Sequence, residues 1–210
     1  MKFRMDALGR LVTLTALIVL ATTLQAQLPP SKNAPHVGQR VPDFMLPDSS
    51  GRKVQFMALL AEGPTVQGNE AEIRGVWAVL IFYRGAADPL STAELQNFQD
   101  NLEKFNSRNV RVIAVSADSP DVTKKFRKEK GFNFTFLCDP KAEVIRGWDL
   151  LKPQVGAGGA ESARSAEFVI DPTGTVRWMN VNNDPKVSIQ ASAVLKVLGD
   201  FHAGETPTEQ

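Results

Sequence analysis

Two kinds of hydrophobic pattern alternate along the chain. From Trp77 to Tyr83 the residues Trp-Ala-Val-Leu-Ile-Phe-Tyr form an almost unbroken apolar run between Gly75 and Gly85. A short run of this kind, closed by glycines, predicts a strand buried on both faces. Leu90, Phe98, Leu102 and Phe105 then recur at helical spacing among Glu94, Gln96, Gln99, Asp100 and Lys104, which predicts a helix with one buried face. The alternation repeats. Val110–Ser116 reads as a second buried strand, and Ser119-Pro120 supplies an N-cap and a first-turn proline for a basic helix ending near Gly131. Phe134–Leu137 gives a third strand closed by Asp139-Pro140, and Ala142–Leu151 a short helix or irregular turn segment. After a Gly/Ala loop from Gly156 to Ser165, Ala166–Ile170 and Thr175–Asn180 flank Asp171-Pro-Thr-Gly174 and predict an antiparallel hairpin, with Gly174 supplying the positive φ of its turn. Val187, Ile189, Val194, Leu195 and Leu198 predict a C-terminal amphipathic helix. Parallel crossovers must be covered on each side, so this order implies an α/β fold with a mixed central sheet and helices on both faces.

Composition narrows the class. The 210 residues carry a net charge of +1, with 43% hydrophobic and 22% charged residues, as in an ordinary globular protein, and no basic field suggests nucleic acid. Lys2, Arg4 and Arg10 precede an apolar run from Leu11 to Leu24, followed by Gln25-Ala26-Gln27, which reads as a secretory signal cut after Ala26. Leu24 stands where a small residue is usual, so an uncleaved anchor remains the alternative, although the run falls short of the roughly 20 residues of a comfortable span. Either way the expected domain is exported, periplasmic or extracellular, and touches a membrane only through this segment. The expected organisation is a signal or anchor over 1–26, a flexible leader over 27–36 containing Pro29-Pro30, one domain over 37–200 and a frayed tail over 201–210.

Three ordered blocks then carry a resemblance. They are Gly38-Gln-Arg-Val-Pro42-Asp43-Phe44 with the later Gly51; Phe82-Tyr-Arg-Gly-Ala-Ala-Asp88-Pro89-Leu-Ser91-Thr-Ala-Glu94-Leu95; and Ala163-Arg164-Ser-Ala-Glu-Phe168-Val-Ile-Asp171-Pro-Thr-Gly174. Together they resemble the peroxiredoxin-like (AhpC/TSA, redoxin) family, whose central segment reads Phe-Tyr-Arg-Gly-x-Trp-Cys-Pro-x-Cys-x-x-Glu-Leu. The resemblance spans roughly Val37 to Leu198 and implies a thioredoxin-like fold and antioxidant thiol chemistry. Family members place a thiolate where the central strand ends and the next helix begins, a position at which the helix N-terminus and a nearby cation lower the thiol pKa.

Asp88 stands at the first motif cysteine and Ser91 at the second, while Ala87 replaces the tryptophan and Gly85 a hydroxyl that many peroxiredoxins hold. A carboxylate has no sulfenic acid step and a serine forms no disulfide, so the resemblance implies that the inherited mechanism is absent at this motif. Asp88 reads as an N-cap before Pro89 at the first helical position, against a catalytic role. Arg164 reads as the site cation pairing with Asp88, or as a solvated loop residue, and Arg84 has the same two readings, with surface solvation the favoured one.

Cys138 is the only cysteine, which excludes an intramolecular disulfide. At the end of a strand it reads as a small buried hydrophobe, or else as a thiol for mixed disulfides at the sheet's carboxyl edge. His36 and His202 lie near the two ends and no spacing suggests a metal, so neither metal nor cofactor is expected. Two functions follow: a non-catalytic domain binding a protein or small ligand in the former redox cleft, or a thiol-dependent antioxidant oxidoreductase working through Cys138.

Overall fold

The computed structural model describes residues 31–63, 65–67, 72–152, 161–182, 184 and 189–202. The expected signal, the start of the leader, residues 156–160 of the 156–165 loop, Val187 and the tail from 203 lie outside these residues. The order is β1 (Met45–Pro47), β2 (Lys53–Gln55), α1 (Phe56–Ala61), β3 (Thr65–Gln67), β4 (Glu72–Arg74), β5 (Trp77–Phe82), α2 (Pro89–Asp100), α3 (Leu102–Asn106), β6 (Val110–Ser116), α4 (Pro120–Lys130), β7 (Thr135–Cys138), α5 (Glu143–Gly147), β8 (Ala166–Ile170), β9 (Val176–Val181) and α6 (Ala191–His202).

Five strands form the central sheet in the order β7-β6-β5-β8-β9. The apolar runs occupy its middle: β5 pairs parallel with β6 and antiparallel with β8, β6 pairs parallel with β7, and β8 and β9 form the hairpin. The sheet is therefore mixed, as the element order implies. Side chains alternate along β5, so Ala78, Leu80 and Phe82 enter one core, and Val79 and Ile81, with Tyr83 just beyond the strand, enter the other. The first core is closed by Leu59 and Leu60 of α1 and Ile145 of α5, the second by Phe98 of α2, Phe126 of α4 and Leu198 of α6. Helices thus cover both faces.

Local chemistry sets the helix ends. The Ser119 hydroxyl accepts from Val122 N and Pro120 opens α4, while Gly131 closes it in the left-handed region at φ 71°. The helix expected after β5 is broken in two. Asn101 donates its backbone N–H to Phe98 O and its side-chain amide to Asn97 O, which separates α2 from α3.

Residues 31–36, expected to belong to the leader, dock onto the body instead. Ser31 Oγ donates to Trp148 O at 2.7 Å, Lys32 N donates to Asp149 Oδ2, and Ala34 is buried in the first core. Apolar burial of Ala34 and two polar anchors offset the entropy of ordering this segment.

Candidate functional site

β5 ends beneath a tight connection to α2, and the motif residues line that connection. Gly85 adopts φ 132°, and a Cβ there would stand 3.2 Å from the Asp118 carboxylate. The glycine lets Asp118 Oδ2 accept from Ala86 N at 2.7 Å, while the Ser116 hydroxyl donates to the same oxygen at 3.0 Å. The end of β6 thereby holds the turn that launches α2.

Asp88 caps that helix. Its Oδ1 accepts from Ser91 N at 2.7 Å with Pro89 in the first turn, and its Oδ2 pairs with Arg84 Nη1 at 3.4 Å. Burial opposes ionisation of Asp88, but the Ser91 N–H and hydroxyl and the Arg84 charge outweigh it and hold the carboxyl below its ordinary value. The Ser91 hydroxyl also accepts from Arg84 N at 3.1 Å, so Ser91 ties the strand's end to the helix start.

The cation on Asp88 is therefore Arg84. Its side chain is only 9% exposed, which corrects the solvated reading of Arg84. Arg164, expected as the partner of Asp88, is itself buried, and among the described residues the charge of Asp149 acts on it. The resemblance favours the late arginine because it places that residue in the site. The i,i+4 relation between Arg84 and Asp88 across the turn is the closer one.

Two buried carboxyls lie behind the cap. Ser91, Glu94, Leu95 and Phe98 form the buried stripe of α2, so Glu94, read from the sequence among the polar positions of the helix, faces the interior. Opposite it, Glu167 sits wholly buried in β8. The Ser165 hydroxyl lies 3.3 Å from both Glu94 oxygens and 3.1 Å from Glu167 Oε1, and Asn180 Nδ2 of β9 donates to Glu167 Oε2 at 2.6 Å. Burial pushes the Glu94 carboxyl up to about 10, reinforced by the hydrogen bond and charge of Glu167 and opposed by Ser165 and Arg84. Burial raises Glu167 as well. Two carboxylates this close do not both ionise, and the pair retains a proton at neutral pH. A signal for it was present: Glu94 falls in phase with Ser91 and Phe98, and Glu167 interrupts an apolar strand.

Cys138 lies two strands away. It ends β7 opposite Ser116, is fully buried, and its thiol donates to Thr123 Oγ1 at 3.3 Å. Burial pushes the thiol up, with the Thr123 bond opposing and the Asp118 charge reinforcing. The hydroxyl of Tyr83 is buried in the same region, beside Ser116 and Thr123. His36 is exposed, and only the backbone of His202, at the end of α6, is described. Among the described residues no group of three or more His, Cys, Asp or Glu is placed to hold a metal ion, and no helix is long and apolar enough to cross a membrane.

Known proteins share this framework. Peroxiredoxin bcp1 of Schizosaccharomyces pombe is 28% identical over 160 residues, 76% of this chain and 73% of that protein. Thioredoxin peroxidase of Fasciola hepatica is 32% identical over 152 residues, 66% of this chain and 75% of that protein. The crystal structure of Peroxidoxin BcpB from Mycobacterium tuberculosis superposes with a TM-score of 0.64 at 25% identity, covering 80% of this chain and 97% of that one. The sequence model of the AhpC/TSA family matches residues 37–179, from just ahead of β1 into β9 and across the whole α2 connection, and the chain belongs to that family.

Proposed function

We propose that this protein is an exported AhpC/TSA-family domain that has exchanged thiol chemistry for binding, with a protein or small ligand held where the redox motif stood. One observation carries the reading. The helix start at which the family's thiolate is expected holds an ionised, capped carboxylate, Asp88, clamped by Ser91 N and Arg84. An anion so placed gains from the helix N-terminus as a thiolate would, so the fold keeps its electrostatics without a nucleophile. Export is supported by Lys2, Arg4 and Arg10 ahead of the Leu11–Leu24 run.

The sole thiol does not replace the missing pair. Cys138 is buried, bonded to Thr123 and raised in pKa, which makes it a poor thiolate source. A thiol reagent added to the native mature domain tests this. Cys138 is expected to react only as fast as the protein opens, and to react at once in denaturant. Rapid, stoichiometric labelling of the folded protein that rises with pH below 8 would favour the thiol-dependent oxidoreductase instead.

A further inference from the structure

A cavity of about 330 Å³ lies along β7, away from the α2 connection. Its size is at the lower end of the roughly 300–1,000 Å³ typical of small-molecule sites. Val54, Leu59, Phe134 and Phe136 supply apolar wall, and Arg52, Arg111, Arg127, Asp48 and Glu62 are the charged residues of the lining.

The charges do not cancel. Arg52 Nη2 pairs with Asp48 Oδ2 at 2.9 Å, and Arg111 Nη1 pairs with Glu62 Oε2 at 3.1 Å. Each acid of the lining thus has its own arginine, and Arg127 is the third cation. Among the described residues no carboxylate lies within ion-pair distance of Arg127.

Arg127 is nonetheless held in place. Its Nη1 donates to Ser49 Oγ at 2.7 Å, and its guanidinium carbon sits 5.4 Å from the centre of the Phe136 ring. Its Nε is buried without a hydrogen-bond partner. A half-buried, immobilised guanidinium with no carboxylate beside it among the described residues favours an incoming oxyanion, for which its planar donors are pre-organised. An adjoining hollow of about 360 Å³ shares Arg127 and Asn133 and adds Lys124 and Lys128, so the surroundings also attract anions.

We propose that this cavity binds a small organic monoanion, its carboxylate on Arg127 and its flat apolar body against Phe134 and Phe136. Within the cavity lining Arg127 is the one cation without a carboxylate partner among the described residues, which selects a monoanion, and the apolar walls select against a bare inorganic ion. The site is independent of the α2 connection and does not rest on the reading given for it.

Benzoate is the direct probe, titrated at neutral pH into the ¹⁵N-labelled mature domain while the Arg127 Nε–Hε resonance and the Asn133 and Thr135 amides are followed. Saturable shifts are expected with a dissociation constant of about 1 mM or tighter, and none of comparable size with benzyl alcohol or inorganic phosphate. Arg127→Gln should weaken binding by about tenfold or more, and Ser49→Ala, which frees the guanidinium without removing its charge, should weaken it less. The wild-type titration and Ser49→Ala decide the matter even if Arg127→Gln fails to fold. Absence of saturable shifts, equal binding of benzyl alcohol or phosphate, or unchanged affinity in a folded Arg127→Gln would overturn the proposal.

Discussion

Asp88 concentrates the chemistry of the site into one side chain. Its Oδ1 bond to Ser91 N satisfies a helix donor that burial would otherwise leave without acceptor, and its Oδ2 neutralises Arg84. Asp88→Ala should therefore lower stability by about 0.5–2 kcal/mol. Asp88→Asn keeps a capping oxygen while losing the ion pair, so it should cost less. Urea midpoints of the two variants check the order, and an unchanged midpoint for Asp88→Ala would show that the cap contributes nothing. The capping role was legible in the chain because Asp-Pro before an amphipathic run is a local signal. The identity of its cation was not. Which of two arginines faces a carboxylate depends on how the β5–α2 turn and the approach to β8 fold, and neither geometry is written in spacing.

At the scale of elements, the join between α2 and the β8–β9 hairpin is made by the Glu94–Glu167 pair as well as by apolar packing. The sign of its pH dependence follows from proton counts. The folded protein keeps a proton on Glu94 up to about 10, whereas the unfolded chain releases it near 4.5. The unfolded state thus binds fewer protons through this window, and stability from the pair is fully present below the ordinary carboxyl value and lost as pH rises toward 10. One such proton contributes a slope of up to about 1.4 kcal/mol per pH unit. Denaturant midpoints should fall between pH 6 and pH 9 in the wild type, and Glu94→Gln, which mimics the protonated acid, should flatten that fall. Equal slopes would contradict a shared proton. A second test at this scale restores the motif at the start of α2. Asp88→Cys/Ser91→Cys places two thiols in one helical turn with the first at the N-cap, and mild oxidant should close a disulfide between them. Mass spectrometry finding both thiols free in a folded variant would show that these positions do not correspond to the redox pair.

For the molecule as a whole, the fold was the most legible property. Long apolar strands at β5, β6 and β8 and amphipathic helices at α2, α4 and α6 carry strong periodicity, and they define the mixed sheet and its two covered faces. Some short elements escaped. α1 is six residues of nearly continuous apolar sequence, Phe-Met-Ala-Leu-Leu-Ala, too brief for a helical period to emerge, and β3 and β4 have three residues each. Docking of Ser31 and Lys32 depends on Trp148 and Asp149, each 117 positions away, so no local pattern reports it. The cavity beside Arg127 has the same origin, since its arginines come from three distant segments. Family membership is established by residues 37–179, but fold and family leave activity open, because function lives in the site. Consumption of hydrogen peroxide by the purified mature domain, with a thioredoxin-type reductant supplied in excess, measures that activity directly. The expected rate equals that of a Cys138→Ser variant and that of the reductant alone. Catalytic turnover above both, abolished by Cys138→Ser, would contradict it.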